Sequence, residues 1–128
     1  MTVLVTGASG AVGAHLAKKL LDQGQEVVSL LHDDRPFDTA RLIGIRDRIT
    51  WVRGSVTDAN LIRRVVADYN VDSIFHLAAL PLVQVGMRTT IPIWEVNLMG
   101  TLNVLEAVRE SAYAGKVIRY VHMSTDKT

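Results

Sequence analysis

Residues 5–13 read Val5-Thr6-Gly7-Ala8-Ser9-Gly10-Ala11-Val12-Gly13. The run Val3-Leu4-Val5 before them is short and continuously apolar, as a fully buried strand requires. From Ala11 to Gln23 the apolar residues recur at helical spacing. Val12, Leu16 and Leu20 fall on one face with Ala17 and Leu21, and Lys18, Lys19 and Asp22 fall elsewhere. Gly24 then supplies the helix stop. A strand therefore runs through a glycine turn straight into an amphipathic helix. Gly7 stands at the sharp turn, and Gly10 lets backbone lie open to an approaching group. Gly13 comes one helical turn later, where a side chain would push the helix off the sheet. Such a turn aims backbone N–H groups and the positive end of the helix dipole at one point, which favours an anion such as a phosphate. The candidate anion-holding set is Gly7, Ser9, Gly10, Ala11, Val12 and Gly13. The spacing is G-x-x-G-x-x-G, not the common G-x-G-x-x-G, and a tight turn that binds nothing is the alternative.

The same alternation continues outward. Val27–Leu31 reads as a second strand, and Ile49–Val52, ending at Gly54, as a third. Thr57-Asp58 offers cap chemistry for a helix reaching about Asn70, with Ile62, Val66 and Tyr69 facing inward. A fourth strand lies within Val71–Ala79, a long helix runs from about Pro92 to Ala114, and a fifth strand spans Lys116–Met123. Charge-rich Asp33–Asp47, with Pro36 and Gly44, is the least regular stretch. Apolar strands alternating with helices predict an α/β fold: a Rossmann-type, doubly wound parallel sheet. Right-handed crossovers give about five strands in order 3-2-1-4-5 with helices on both faces. Ligands in such sheets bind beyond the carboxyl ends of the strands, where the order reverses.

Bulk properties narrow the choice of partners. The chain has 128 residues, enough for one domain over 1–128 with a core of its own. It has no cysteine, so neither disulfides nor thiolate metal sites are available, and no metal site is expected. Formal net charge is +1 with no basic run, and aromatic residues make up 5%, which argues against nucleic acid as a partner. No apolar run approaches the ~18 residues of a membrane span, and no signal peptide precedes Val3, so the expected location is the cytoplasm.

Five stretches together carry a resemblance: "VTGASGAVG", "GSVTD", "FHLAAL", "VNLMGTLNVLEA" and "YVHMSTDK". In this order and spacing they resemble the extended short-chain dehydrogenase/reductases, the NAD-dependent epimerase/dehydratase family. The resemblance implies that the glycine turn binds a dinucleotide. It also implies that Asp58 accepts from the adenine amino group, alongside or instead of capping a helix. Leu77, Ala78 and Ala79 would line the ribose and nicotinamide side, with Asn97 near a cofactor ribose. His76 reads as a packed strand residue rather than a ligand or base. The end of strand two, where an acid usually meets the ribose, holds Leu31 followed by His32, Asp33, Asp34 and Arg35. The acids disfavour the 2′-phosphate of NADP while His32 and Arg35 could accommodate it, so NAD is expected with NADP as the alternative.

"STDK" resembles the strand tip of the nucleotide-sugar 4,6-dehydratases. It implies Thr125 or Ser124 hydrogen-bonding the sugar C4 oxygen, Asp126 as general acid at C6, and Lys127 where a base for the C5 proton is needed. An ordinary polar strand end is the other reading. The family also uses a Tyr-x-x-x-Lys pair. Tyr69, Tyr113 and Tyr120 are followed four residues later by Ser73, Val117 and Ser124, so none of them forms it. The expectation is a cofactor-binding N-terminal portion, inactive alone, with the nucleotide-sugar as substrate if a longer chain exists. The alternative is a non-catalytic NAD(H)-binding module. Trp94, Leu98, Leu102 and Leu105 on one face of the long helix imply either a homo-oligomer through 92–114 or burial against further chain.

Overall fold

The computed structural model describes residues 1–31, 38–78 and 94–123. Five parallel strands form one sheet in the order β3-β2-β1-β4-β5. They are β1 (Thr2–Thr6), β2 (Glu26–Leu31), β3 (Thr50–Arg53), β4 (Ser73–His76) and β5 (Arg119–His122). The strand order expected from alternation and right-handed crossovers is the one observed, a Rossmann-like α/β sheet.

Both faces of the sheet are covered, which is why its central strands are apolar without alternation. Val3, Val5 and Val27 pack with Ala14, Ala17 and Leu20 of α1 (Ala11–Asp22) and with Ala40, Ile45 and Ile49 of the β2–β3 connection. On the other face, Leu4, Val28 and Ile74 meet Ile62, Val65 and Val66 of α3 (Ala59–Asp68) and Val104 and Ala107 of α4 (Gly100–Tyr113).

The contacts of α1 are made by buried Gly13, Ala14, Ala17 and Leu20, with Leu16 and Leu21 partly buried beside them as expected. Val12, expected on the inner face, is 54% exposed. The helix lies so close to the sheet that its smallest residues form the contact, and the buried stripe is rotated away from Val12. Tyr69 is also outside the core, because α3 ends at Asp68 and Tyr69 leaves the helical spacing as its C-cap. β5 begins at Arg119 rather than Lys116. Lys116 is held in the turn after α4, its N–H donating to the Ser111 carbonyl and its own carbonyl accepting from Ser111 Oγ.

Within the stretch 33–47, the described residues 38–47 hold more order than their composition suggests. They contain α2 (Thr39–Leu42) and lead into a 3-10 turn at Arg46–Arg48. Asp38 is buried at the start of α2, where it accepts from the Arg41 N–H at 2.8 Å and from Arg46 Nη1 at 2.9 Å. The Arg46 guanidinium lies over the Trp51 ring, and Trp51 Nε1 donates to the Arg46 carbonyl at 2.9 Å. The Thr39 N–H donates to the Ser9 carbonyl at 3.1 Å, tying this corner to the glycine turn.

The long helix is not one regular α-helix. Trp94–Met99 forms a π-helical turn, and α4 follows from Gly100. Gly100, Val104 and Ala107 face the sheet, while Leu98, Met99, Leu102 and Leu105 are exposed. No helix among the described residues is long and apolar enough to cross a membrane.

Replacing Asp38 tests the α2 corner. Asp38→Ala removes both the cap and the buried ion pair, and is expected to cost about 2–4 kcal/mol in urea unfolding. Asp38→Asn keeps the cap and is expected to lose less than Asp38→Ala.

Candidate functional site

The glycine turn sits at the C-terminal end of β1, beside β4, where the strand order changes direction. Gly7 has φ +82°, and a Cβ there would lie 3.1 Å from both Leu77 C and Ala78 N. It is therefore glycine for two reasons, a left-handed backbone and the closeness of the β4 exit. A Cβ on Gly13 would come 2.7 Å from the Gly7 carbonyl carbon and 3.0 Å from Ala8 Cα, both backbone atoms that cannot yield. Gly10 differs from both. Its backbone is extended (φ −79°, ψ 173°), and a Cβ would meet only the Gly7 carbonyl oxygen at 3.5 Å, an ordinary contact. No described protein atom requires glycine at this position. Gly10 is also the N-cap of α1 and brings no side-chain acceptor to its first turn.

Behind the turn runs a chain of polar groups, buried at Thr6 and His76 and half-buried at Thr101, that the sequence pattern does not reveal as a whole. Thr6 Oγ1 accepts from the Leu77 N–H at 3.0 Å and from the Ala78 N–H at 3.1 Å. With both lone pairs engaged, its hydroxyl donates to His76 Nδ1 at 2.7 Å. His76 Nε2 faces Thr101 Oγ1 at 3.0 Å, and Thr101 donates to the Asn97 carbonyl at 2.9 Å. The ring nitrogens are thereby assigned, with Nδ1 accepting and Nε2–H donating. His76 is 1% exposed, as expected of a packed strand residue. Burial, with a smaller push from His122, lowers its imidazole to about 4 and keeps it neutral. Tyr120 and His122 of β5 flank the ring, with centroids 6.4 and 5.5 Å from it. The sequence signal for Thr101 was available in the spacing Asn97-x-x-x-Thr101, which lets a hydroxyl reach back one turn.

Asp58 caps α3, its Oδ1 accepting from the Leu61 N–H at 3.1 Å. The residue is exposed, and a carboxylate has a second oxygen for another donor. The preceding loop is fastened from behind, where Asn103 Nδ2 donates to the Val56 carbonyl at 2.9 Å. Leu77 and Ala78 form the exit of β4 against Gly7, and Asn97 lies in the π-helical turn. His32, Asp33, Arg35, Ala79 and the tip Ser124, Thr125, Asp126 and Lys127 lie outside the described residues. Among the described residues no group of three or more His, Asp or Glu side chains is set to hold a metal ion.

Two outcomes follow from this geometry. Gly13→Ala is expected to disrupt the α1 contact and cost several kcal/mol by denaturant unfolding. Gly10→Ala should leave stability within ~1 kcal/mol of the parent. The second outcome concerns pH. The unfolded His76 ring titrates near 6.5 and the folded ring near 4, so the fold favours the neutral form. Its contribution is complete above pH 6.5 and is lost as pH falls toward 4, at up to ~1.4 kcal/mol per pH unit. His76→Gln should flatten the stability profile across that window, measured by urea unfolding at a series of pH values.

Comparison with known proteins agrees with this geometry. The sequence profile described as GDP-mannose 4,6 dehydratase matches residues 4–128. The chain is 35% identical to the CDP-paratose 2-epimerase of Salmonella typhi, over 86% of this chain and 33% of that protein. It is 33% identical to the dTDP-glucose 4,6-dehydratase of Mycolicibacterium smegmatis, over 99% of this chain and 37% of that protein. Among solved structures, the UDP-glucose 4-epimerase of Bifidobacterium longum, crystallised with NAD+ and UDP, superposes with a TM-score of 0.81. It is 29% identical and is matched over 98% of this chain and 37% of its own. The chain thus spans a little over a third of the length of these relatives. With the sheet order, the glycine turn and a match running from residue 4 to residue 128, the chain belongs to the NAD-dependent epimerase/dehydratase family of extended short-chain dehydrogenase/reductases.

Proposed function

We propose that residues 1–128 form the NAD-binding portion of a nucleotide-sugar epimerase or dehydratase. The observation that carries this reading is Gly10. Among the described residues its missing side chain serves neither backbone conformation nor packing, a Cβ meeting only the Gly7 carbonyl oxygen at 3.5 Å, and it stands where backbone N–H groups and the α1 dipole converge. A pyrophosphate suits that position, and Gly7, Ser9, Gly10, Ala11, Val12 and Gly13 would hold it. Asp58 would use its uncommitted oxygen for the adenine amino group, while Leu77, Ala78, Ala79 and Asn97 would line the ribose and nicotinamide side. The acids Asp33 and Asp34 favour NAD over NADP, with His32 and Arg35 beside them. The NAD+ in the B. longum epimerase supports the same preference.

Bound NAD would supply a hydride acceptor for a sugar carbon. The chain's own residues would do the rest: Ser124 or Thr125 would orient the C4 oxygen by a hydrogen bond. Asp126 would give a proton to the leaving C6 hydroxyl, and Lys127 would stand near the C5 proton. An acid and a base side by side favour elimination over simple epimerisation. No tyrosine in this sequence is followed four residues later by lysine. That favours cofactor binding without turnover by these residues alone. The exposed face of Leu98, Leu102 and Leu105 is suited to a second copy or to further chain of the same enzyme.

Titration of the purified chain with NADH and NADPH, followed by nucleotide fluorescence, tests the reading. NADH should bind saturably and more tightly than NADPH, and Gly10→Val should weaken NADH at least tenfold while leaving the melting temperature close to that of the parent. Absence of saturable binding at millimolar NADH would overturn the proposal. Incubation of the chain and NAD with nucleotide-sugars should yield no 4-keto product, and turnover would refute the cofactor-only reading.

A further inference from the structure

We infer that His76 and Thr101 are positioning residues of the cofactor site, forming with Thr6 a relay that fixes the β4 exit and the π-helical turn relative to the glycine turn. The inference rests on the dinucleotide reading above. The relay begins at the Leu77 and Ala78 N–H groups, both donating to Thr6 Oγ1, the side chain next to Gly7. It passes through Thr6 O–H to His76 Nδ1 and from His76 Nε2–H to Thr101 Oγ1. It ends where Thr101 donates to the Asn97 carbonyl. Each hydroxyl both accepts and donates, so the chain is satisfied in one direction only, with the neutral Nε2–H ring.

Placement separates this relay from ordinary core satisfaction. Its fixed points are Gly7, Leu77, Ala78 and Asn97. The first three stand at the C-terminal ends of β1 and β4, the two strands between which the sheet order reverses. Gly7 is packed directly on Leu77 and Ala78, so a shift of the β4 exit is felt at once by the turn. Asn97 lies in the π-helical turn, a widened backbone frequently found at functional sites. The Thr101 hydroxyl reaches back four residues and ties this relay to that turn's backbone. Asn97 is thereby linked to β1 and β4 through side-chain hydrogen bonds, in addition to the packing of α4 by Gly100, Val104 and Ala107. The groups facing the imidazole are Thr6 from β1, Thr101 from α4, and Tyr120 and His122 from β5.

The test compares Thr101→Val, which keeps the shape and removes both bonds, with Thr101→Ser, which keeps the hydroxyl. Binding of NADH and of ADP to the full chain is measured for each, with melting temperatures as the control for folding. In the reading above, ADP engages the glycine turn and Asp58, whereas the nicotinamide half also needs the β4 exit and Asn97. Thr101→Val should weaken NADH about tenfold and ADP no more than about twofold, and Thr101→Ser should stay within about threefold of the parent for both. Equal NADH affinity in Thr101→Val and the parent would overturn the relay alone. Equal losses of NADH and ADP accompanied by a fall in melting temperature would also overturn it, reducing Thr101 to a structural role. A parent chain that binds ADP and NADH not at all would sink the cofactor reading, and the relay with it. Independently of any variant, nitrogen NMR of the parent His76 ring should show the Nε2–H tautomer, with the Nε2 resonance moving on NADH addition. The Nδ1–H tautomer would refute the assignment.

Discussion

The contact on which the rest of the structure depends is the one between Gly13 and the backbone of Gly7. A Cβ at Gly13 would press into the Gly7 carbonyl group, so α1 can lie where it does only because that atom is absent. The closeness propagates. It makes Gly13, Ala14 and Ala17 the residues that meet the sheet, turns Val12 to solvent, and brings the first turn of α1 to the end of β1. On its other side, Gly7 touches the backbone at Leu77 and Ala78. Helix α1 and strands β1 and β4 thus converge within one van der Waals layer, at the place where a parallel sheet presents its ligand site. A junction built from backbone at three points is stiff, because no side-chain rotamer can be adjusted to relieve a shift.

Behind that junction the protein buries the hydroxyl of Thr6 and the imidazole of His76. The cost of placing Thr6 and His76 in the sheet is met by complete pairing, since among the described residues no buried side-chain nitrogen or oxygen lacks a partner. Such a chain holds its members at hydrogen-bond distances in one proton arrangement, which methyl groups packed against one another do not do. The Asp38–Arg46–Trp51 corner does comparable work on the opposite edge. It starts α2 where the Thr39 N–H can reach the Ser9 carbonyl, so the glycine turn is braced from β2 as well as from β4.

Much of this was legible along the chain. The apolar strands, the glycine spacing and the capping aspartate Asp58 are local features, and each produced the element expected of it. The misplacements share one cause. Helical periodicity puts Val12 and Tyr69 on inner faces, but periodicity measures the spacing of a stripe and not the rotation of the helix about its axis. The rotation of α1 is set by how closely it approaches the sheet, and the fate of Tyr69 by where α3 stops. The π-helical turn escaped for a related reason, because an apolar run fits a widened turn as readily as a regular one.

By itself, the sequence determined the layers, the strand order and the family, because these follow from patterns that repeat within a few residues or along one strand. It also assigned Gly7, Gly10 and Gly13 distinct roles: the sharp turn, the open backbone and the close helix–sheet approach. Only the tertiary structure set the contacts behind those roles, since they depend on atoms from β1, β4 and α1 meeting in space. The same holds for Thr6, His76 and Thr101, which lie 70 and 25 residues apart in the chain yet within 3.0 Å of one another in sequence along the relay. Hydrogen-bond chemistry acts over that distance and not over residue number, so such a chain becomes visible only once the sheet has closed.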